Sequence, residues 1–349
     1  MEFIARQTGV SKATVSRVIN NKGQGVGAKT RERVKCAIEE YGYKPNLLAR
    51  GIATAHTKII GLVVSDICNP FFPALIKAIE AVLSDRGYTV LLCDTGENAD
   101  KEERCISTLV ANRVDGVVLA ATLQNPQMVE QRIEQYQIPL VLVDREAKEI
   151  KQGVGFCVDN EYGMYVATEH LIRHGDRKIA FIKGPHTVSA TEQRLQGYVM
   201  ALQKYNVDLR KNLVLNGDFT FQSGYRAVQM LHTEGVVFDA ILASNDVMAL
   251  GALKALQDYR YQVPQEIEVM GFDDIPASDW TNPPLTTMRQ PLHELGTQAA
   301  CAILSMVEKR AVLERTMRIE AKLICRKTTR EQETVVGAVP VIKNEGAKK

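Results

Sequence analysis

The sequence predicts an all-α helix-turn-helix head followed by an α/β core of two doubly wound lobes built on parallel sheets. Three observations carry this reading. The stretch Gly9 to Asn20 (GVSKATVSRVIN) has one polar and one apolar helical face. From Ile59 onward, short apolar runs alternate with helical stretches, in two successive rounds. Charge is also divided: residues 1–58 hold 11 Lys and Arg against 4 Asp and Glu, a balance of +7, and the rest of the 349-residue chain sums to −5. A basic head on an acidic body suits a polyanionic partner.

In the head, an apolar helix from Phe3 to Thr8 leads into a tight turn at Gly9, and Ser11 is the expected N-cap of the next helix. At about 100° per residue, Lys12, Ala13, Ser16, Arg17 and Asn20 share an arc of roughly 140°. Val15, Val18 and Ile19 fall on the other side. A third helix, Lys29 to Tyr41, places Val34, Ala37, Ile38 and Tyr41 at helical spacing. Three short helices with a Gly turn after the first form the helix-turn-helix pattern. Small exposed residues allow close approach to a major groove, and Lys12 and Arg17 reach base edges or phosphates. A plain three-helix bundle with a solvated face fits the same pattern. After Pro45, Asn46 can cap a helix over residues 47–53, too short to stand alone and weakened by Gly51.

The core begins with a strand at Ile59 to Val64 and continues as helix Phe71 to Arg86, strand Tyr88 to Cys93, helix Lys101 to Arg113, strand Gly116 to Ala120, helix Pro126 to Gln135 and strand Leu140 to Val143. The second round follows Val154 to Phe156. It runs as helix Glu161 to His174, strand Lys178 to Ile182, helix Thr191 to Tyr205, a short strand near Val214, helix Ser223 to Glu234, strand Ala240 to Ala243, helix Val247 to Asp258 and strand Glu268 to Gly271. Helix Pro291 to Lys309 and a last strand, Met317 to Cys325, close the core. This alternation implies parallel sheets covered on both faces, with the ligand at the carboxyl ends of the strands, between the lobes. Polar and aromatic residues gather at those ends: Asp66, Asn69, Phe71 and Phe72; Asp144 and Arg145; Arg194; Phe219; Asn245; Asp273 and Asp274. Planar polar groups beside phenyl rings suit a polyol and suit a phosphorylated or purely apolar ligand less well. Singly, each Asp or Asn is equally explained as a helix cap.

GVSKATVSRVIN, KTRERV at Lys29 to Val34 and YKPNLLAR at Tyr43 to Arg50 resemble the LacI/GalR family of bacterial transcription regulators, and the likeness runs in order to about Arg326. The resemblance implies domains at 1–44 (head), 45–58 (hinge helix and linker) and 59–330 (two-lobed sugar-binding and dimerisation core, its lobes discontinuous in sequence); residues 331–349, polar with a small apolar patch at Val335 to Ile342, read as a disordered tail. It implies that Lys12, Ala13 and Arg17 read bases, that Thr14, Ser16 and Asn20 hold phosphates, and that Asn46 also lies at the DNA. The hinge helix would form on the operator, where Ile52 would wedge into the minor groove. Against the family pattern the chain opens a few residues short, without the usual Thr cap. The loop Asn21 to Gly27 is one residue longer than the family pattern, with Gly27 where a capping Ser is common.

The core is similar to periplasmic sugar-binding proteins. The resemblance assigns Asn69, Phe71, Phe72, Asp144, Arg145, Arg194, Asn245 and Asp273 to the ribose-binding set, Phe219 to the ring that covers the ligand, and Gln290 to the cleft. The match is nearest to the ribose regulators of the family, and related pentose and hexose readers share much of the set. The implied partners are double-stranded operator DNA, a monosaccharide effector and a second copy of the chain, with no cofactor and no membrane.

Other signals are discounted. Gly23 to Gly27 follows a helix, not a strand, so it is no phosphate-binding turn. The chain has no GxSxG elbow and no Cys/His catalytic pattern, which excludes the commoner hydrolase plans. The seven cysteines include no CxxC pair, and the reading is reduced thiols in a cytoplasm without zinc. His170 and His174, one turn apart, are read as a solvated helix face. A sugar-transport receptor is the main competing reading, opposed by the basic head and by the lack of a signal peptide.

Overall fold

A computed structural model of the chain describes residues 1–19, 25–43, 56–120, 125–144, 153–310 and 316–331. Asn20, Asn46, Ile52 and Arg145, the expected hinge helix and the tail from residue 332 lie outside the described residues.

The head is three helices, α1 (Glu2–Thr8), α2 (Lys12–Ile19) and α3 (Ala28–Glu40). Gly9 ends α1 at φ 61°, a left-handed conformation that needs no Cβ. The Ser11 Oγ accepts the Thr14 N–H at 3.1 Å, which is the expected N-cap. Ile4, Val15, Val18, Val34 and Ala37 form the core of the head. Two apolar positions are less buried than the pattern suggests. Ile19 is half-buried, because on the wheel it lies only about 20° from Lys12. Tyr41 is 45% exposed and rests edge-to-face on Phe3, centroids 5.1 Å apart. Gly27 precedes α3 with no side-chain cap.

The core has two six-stranded sheets. Lobe 1 contains β1 (Ile59–Val64), β2 (Thr89–Asp94), β3 (Gly116–Ala120), β4 (Leu140–Val143) and β5 (Gly153–Val158), with α4 (Phe71–Asp85), α5 (Ala99–Ala111) and α6 (Pro126–Tyr136) between them. Lobe 2 contains α7 (Asn160–Arg173), β6 (Ile179–Lys183), α8 (Ser189–Lys204), β7 (Val214–Asn216), α9 (Phe221–Thr233), β8 (Ala240–Ala243), α10 (Asp246–Asp258), β9 (Glu268–Asp273), α11 (Ala277–Trp280) and β10 (Thr286–Arg289). The chain then returns to lobe 1 with α12 (Leu292–Val307), which packs on α4 and on β3 to β5, and with β11 (Thr316–Ile319). It ends in lobe 2 with β12 (Lys322–Ile324). The lobes are therefore discontinuous, and three crossings join them.

Strand order is β2-β1-β3-β4-β5-β11 in lobe 1 and β7-β6-β8-β9-β10-β12 in lobe 2. All pairs are parallel except β10 with β12. Each order reverses once, between β1 and β3 and between β6 and β8, which opens a crevice at the carboxyl ends. The central strands are buried on both faces and read as apolar runs, such as Gly153–Val158.

Two expectations need correction. The single last strand is two, in different sheets. Met317 and Leu323 belong to one alternating pattern, but the chain changes lobes at Glu320 and Ala321. His170 and His174 do not lie on a solvated face. His170 is 6% exposed and its ring centroid is 4.3 Å from that of His174. His174 Nδ1 lies 2.8 Å from Glu268 Oε2. The segment after β12 covers them: Thr329 Oγ1 lies 3.3 Å from His170 Nε2, and Arg330 bridges Glu268 and Asp176.

Candidate functional site

The carboxyl ends of both sheets face one cleft of about 300 Å³, at the small end of ligand pockets. Lobe 1 contributes the loop after β1. There Asn69 Oδ1 accepts the Phe71 N–H at 3.1 Å, and Phe71 and Phe72 open α4 as a perpendicular ring pair 5.0 Å apart. Asp144 follows β4 at φ 57°, its N–H donating to the Phe156 carbonyl at 2.7 Å.

Lobe 2 contributes a denser set. Arg194, on α8, is 4% exposed. Its Nε donates to Asn160 Oδ1 at 2.8 Å, Nη1 donates to the Ser244 carbonyl, and the guanidinium stacks 4.0 Å over the Phe272 ring. Asn245 caps α10 by accepting the Met248 N–H at 3.0 Å, and its Nδ2 donates to the Phe219 carbonyl at 3.2 Å. One side chain therefore fixes a helix and the backbone of the ring residue. Asp273 ends β9 at φ 129° and accepts from Gln290 Nε2 at 2.6 Å. Burial pushes the Asp273 carboxyl well above the usual carboxylate range, against the pull of Arg194. Gln290 Oε1, also buried, has no hydrogen-bond partner among the described residues. Such an acceptor suits a ligand hydroxyl.

Phe219 sits at φ 63°, and its ring covers Gly184 so closely that a Cβ there would lie 2.2 Å from Cζ. Only glycine leaves room for the ring. With Glu97, at φ 56°, Asp144, Phe219 and Asp273 make four non-glycine residues held at positive φ on one cleft, a concentration of backbone strain of the kind found at binding sites. Behind them, buried Asp246 accepts from the Ile275 N–H at 2.9 Å, Ser278 Oγ at 2.6 Å and Thr287 Oγ1 at 2.5 Å, tying α10 to the loop after β9 and to β10.

Of the ten residues expected here, nine line the cleft, and Arg145 lies outside the described residues. The sequence reading missed the polar residues Ser65, Glu97, Asp218 and Thr220, which also line it, together with the small or apolar Gly96, Val188 and Ala190. Glu97 is at φ 56°, and no local pattern announced that turn. The lining has five carboxylates, Asp66, Glu97, Asp144, Asp218 and Asp273, against one guanidinium among the described residues. With the Asp273 carboxyl pushed toward its neutral form, acidic side chains still outnumber the guanidinium among the described residues, which disfavours an anionic ligand.

On the head, Lys12, Ala13 and Arg17 are exposed together on α2, with Thr14 and Ser16 half-buried beside them. Lys12 Nζ lies 2.8 Å from Glu2 Oε2 on α1. Among the described residues no helix is long and apolar enough to cross a membrane, and no group of His, Cys, Asp and Glu could hold a metal ion.

Comparison with known proteins agrees with this architecture. Residues 1–46 match the bacterial regulatory proteins of the lacI family, and residues 57–327 match the periplasmic binding proteins and sugar binding domain of the LacI family. The chain is 36% identical over 330 residues to the ribose operon repressor of Halalkalibacterium halodurans, covering 95% of this chain and 97% of that one. It is 33% identical to the HTH-type transcriptional repressor PurR of Yersinia enterocolitica, over 93% and 95% of the two chains. The crystal structure of the lac repressor dimer bound to operator and the anti-inducer ONPF superposes with a TM-score of 0.83 at 29% identity, over 93% and 97% of the chains.

Proposed function

The chain belongs to the LacI family of bacterial regulatory proteins, and from that premise we propose that it represses a sugar-utilisation operon and leaves its operator when a ribose-like monosaccharide fills the cleft. At the level of the family the protein is a DNA-binding transcriptional repressor with a sugar-binding domain. Its relatives are repressors, not enzymes.

The observation that carries the finer reading is the chemistry of the cleft. Two carboxylates, two amides and a guanidinium, at Asp144, Asp273, Asn245, Gln290 and Arg194, sit beside the rings of Phe71 and Phe219. Sugar hydroxyls donate to carboxylate and amide oxygens and accept from guanidinium and amide N–H groups, and C–H faces stack on rings. The excess of carboxylates favours a free sugar over a sugar phosphate. The 36% identity to a ribose operon repressor supports ribose among the pentoses.

The residues reading DNA are Lys12, Ala13 and Arg17, with Thr14 and Ser16 on phosphates. The mechanism is linkage. The sugar binds more tightly to closed lobes, closure moves the interface of a homodimer, and the two heads lose the spacing that the operator needs. A second reading rests on the 33% identity to PurR: the cleft ligand strengthens DNA binding instead.

Titration of the protein against a duplex from its own upstream region, with ribose, other pentoses, hexoses and purines, decides between these readings. Release by ribose is expected, with strong salt dependence of binding. Tighter binding with a purine would replace the inducer reading by the second one. No retention of any duplex would remove both.

A further inference from the structure

Glu2 is an acid in a basic head, and it sits beside the cations of the DNA face. Its Oε2 lies 2.8 Å from Lys12 Nζ at the first position of α2, and its Oε1 lies 3.8 Å from Arg6 Nη2 on its own helix. All three side chains are more than half-exposed: 62% for Glu2, 60% for Lys12 and 81% for Arg6. One carboxylate therefore gathers two cations on the surface that would meet DNA. Resting on the DNA-reading role proposed above for Lys12, we propose that Glu2 is a specificity-determining residue, holding Lys12 away from phosphates and poised for a base edge.

The physical argument compares the two modes of binding. On a non-specific duplex the affinity comes from cations on phosphates, summed without regard to sequence. There Glu2 acts only as a loss: it occupies Lys12 and repels the backbone. On the operator, residues at the amino end of the second helix point at base edges. Lysine carries a flexible four-carbon stem whose rotamer freedom is lost on contact. Glu2 restrains that stem beforehand, so part of its repulsion is offset. Removing the carboxylate should then help non-specific binding more than operator binding, and the ratio of the two should fall. Pairing with Lys12 also holds the Glu2 carboxyl below the usual carboxylate range, so the acid stays charged at neutral pH.

The test uses the full chain, the duplex that the wild-type protein enriches from a randomised pool, and a scrambled duplex of equal length. Glu2→Gln should raise affinity for the scrambled duplex about two- to five-fold at low salt, the range set by an exposed ion pair. Its salt slope should steepen by about one phosphate's worth. The enriched duplex should gain less than half as much. In a Lys12→Gln background the gain from Glu2→Gln should shrink to what the direct repulsion of the backbone and the pairing with Arg6 supply, and it should be equal on the two duplexes. Equal gains on both duplexes, no gain on either, or the same gain without Lys12 would each overturn the proposal. If the wild-type protein enriches no sequence, the DNA-reading role itself fails, and that outcome is distinct from the others.

Discussion

The two lobes share a strand order, yet they bring side chains to the cleft in different states. Lobe 2 presents Arg194, Asn245, Asp273 and Gln290, all at or below 4% exposure and each hydrogen-bonded to another part of the same lobe. Lobe 1 presents Asn69 and Asp144, which are half-buried, and the buried ring pair Phe71 and Phe72. The first set is preorganised, and its members cost little further ordering when a ligand arrives. The second set is more open to water. On the function proposed above, the difference predicts an order of binding: the sugar docks first on lobe 2, and lobe 1 then closes over it.

The strongest way to break this comparison is Arg194→Ala. The change removes the cation beside buried Asp273 and leaves the Ser244 carbonyl and Asn160 without their donor. Truncating one partner of a buried charged hydrogen bond costs about 2–5 kcal/mol, so sugar affinity by calorimetry should fall at least about 30-fold. The variant should stay on DNA at inducing sugar levels. Arg194→Lys should not rescue it, because an ammonium cannot replace the planar fork over Phe272. Undiminished sugar binding would take Arg194 out of the site and with it the priority of lobe 2.

The second test concerns what makes lobe 2 rigid. At the end of the lobe away from the cleft, Arg330 bridges buried Asp176 and Glu268. Arg330→Ala leaves two carboxylates without their cation. Breaking a fully buried pair costs about 3–5 kcal/mol. Arg330 is 43% exposed, so about 2 kcal/mol is expected here, read as a lower urea midpoint. DNA binding at a temperature below the transition should survive.

A smaller effect is expected on the other side. Asn69→Ala removes a loop hydrogen bond and a half-buried amide, worth about 1 kcal/mol, or roughly five-fold in sugar affinity. A loss as large as that of Arg194→Ala would mean that the lobes contribute equally and that binding has no order.

How much of this was legible in the sequence follows from the range of the signals. Asn69, Asp144, Asn245 and Asp273 could be found because each lies at or shortly after the end of an apolar strand, and because the switch points place those ends together; Arg194 lies within α8, and Gln290, after a strand with no apolar run, rested on the family resemblance. The head could be found because Gly9, Ser11 and the polar face act within one helical turn of one another. Long-range signals were lost. β10 (TTMR) has no apolar run, and its Thr286 and Thr287 are buried by bonds to Thr329 and Asp246. Glu97 enters the cleft through a left-handed turn that its neighbours do not require. His170 and His174 looked solvated because the segment that buries them lies more than 150 residues away.

The cluster around that buried pair supplies the last prediction, in which two opposed effects leave little net change in the wild-type protein. Burial and the neighbouring His174 pull His170 down to about 4. The folded protein therefore binds fewer protons than the unfolded chain between the ordinary histidine value, about 6.5, and 4. Its contribution to stability is complete above about pH 6.5 and is lost as pH falls toward 4. Burial and Glu268 push Asp176 up to about 7, despite Arg330. Here the folded protein binds more protons, so stability is greatest below the ordinary carboxylate value and is lost as pH rises through 7. Between about pH 4 and 6.5 the two slopes oppose each other, each about 1.4 kcal/mol per pH unit at most. Single variants should separate them. Relative to wild type, Asp176→Asn should lose stability on acidification below pH 6.5, because the His170 slope is then unopposed. His170→Gln should gain stability over the same range. Urea midpoints of the three proteins at pH 5 and pH 7 measure the differences, and parallel pH profiles would show that the cluster does not titrate as a unit.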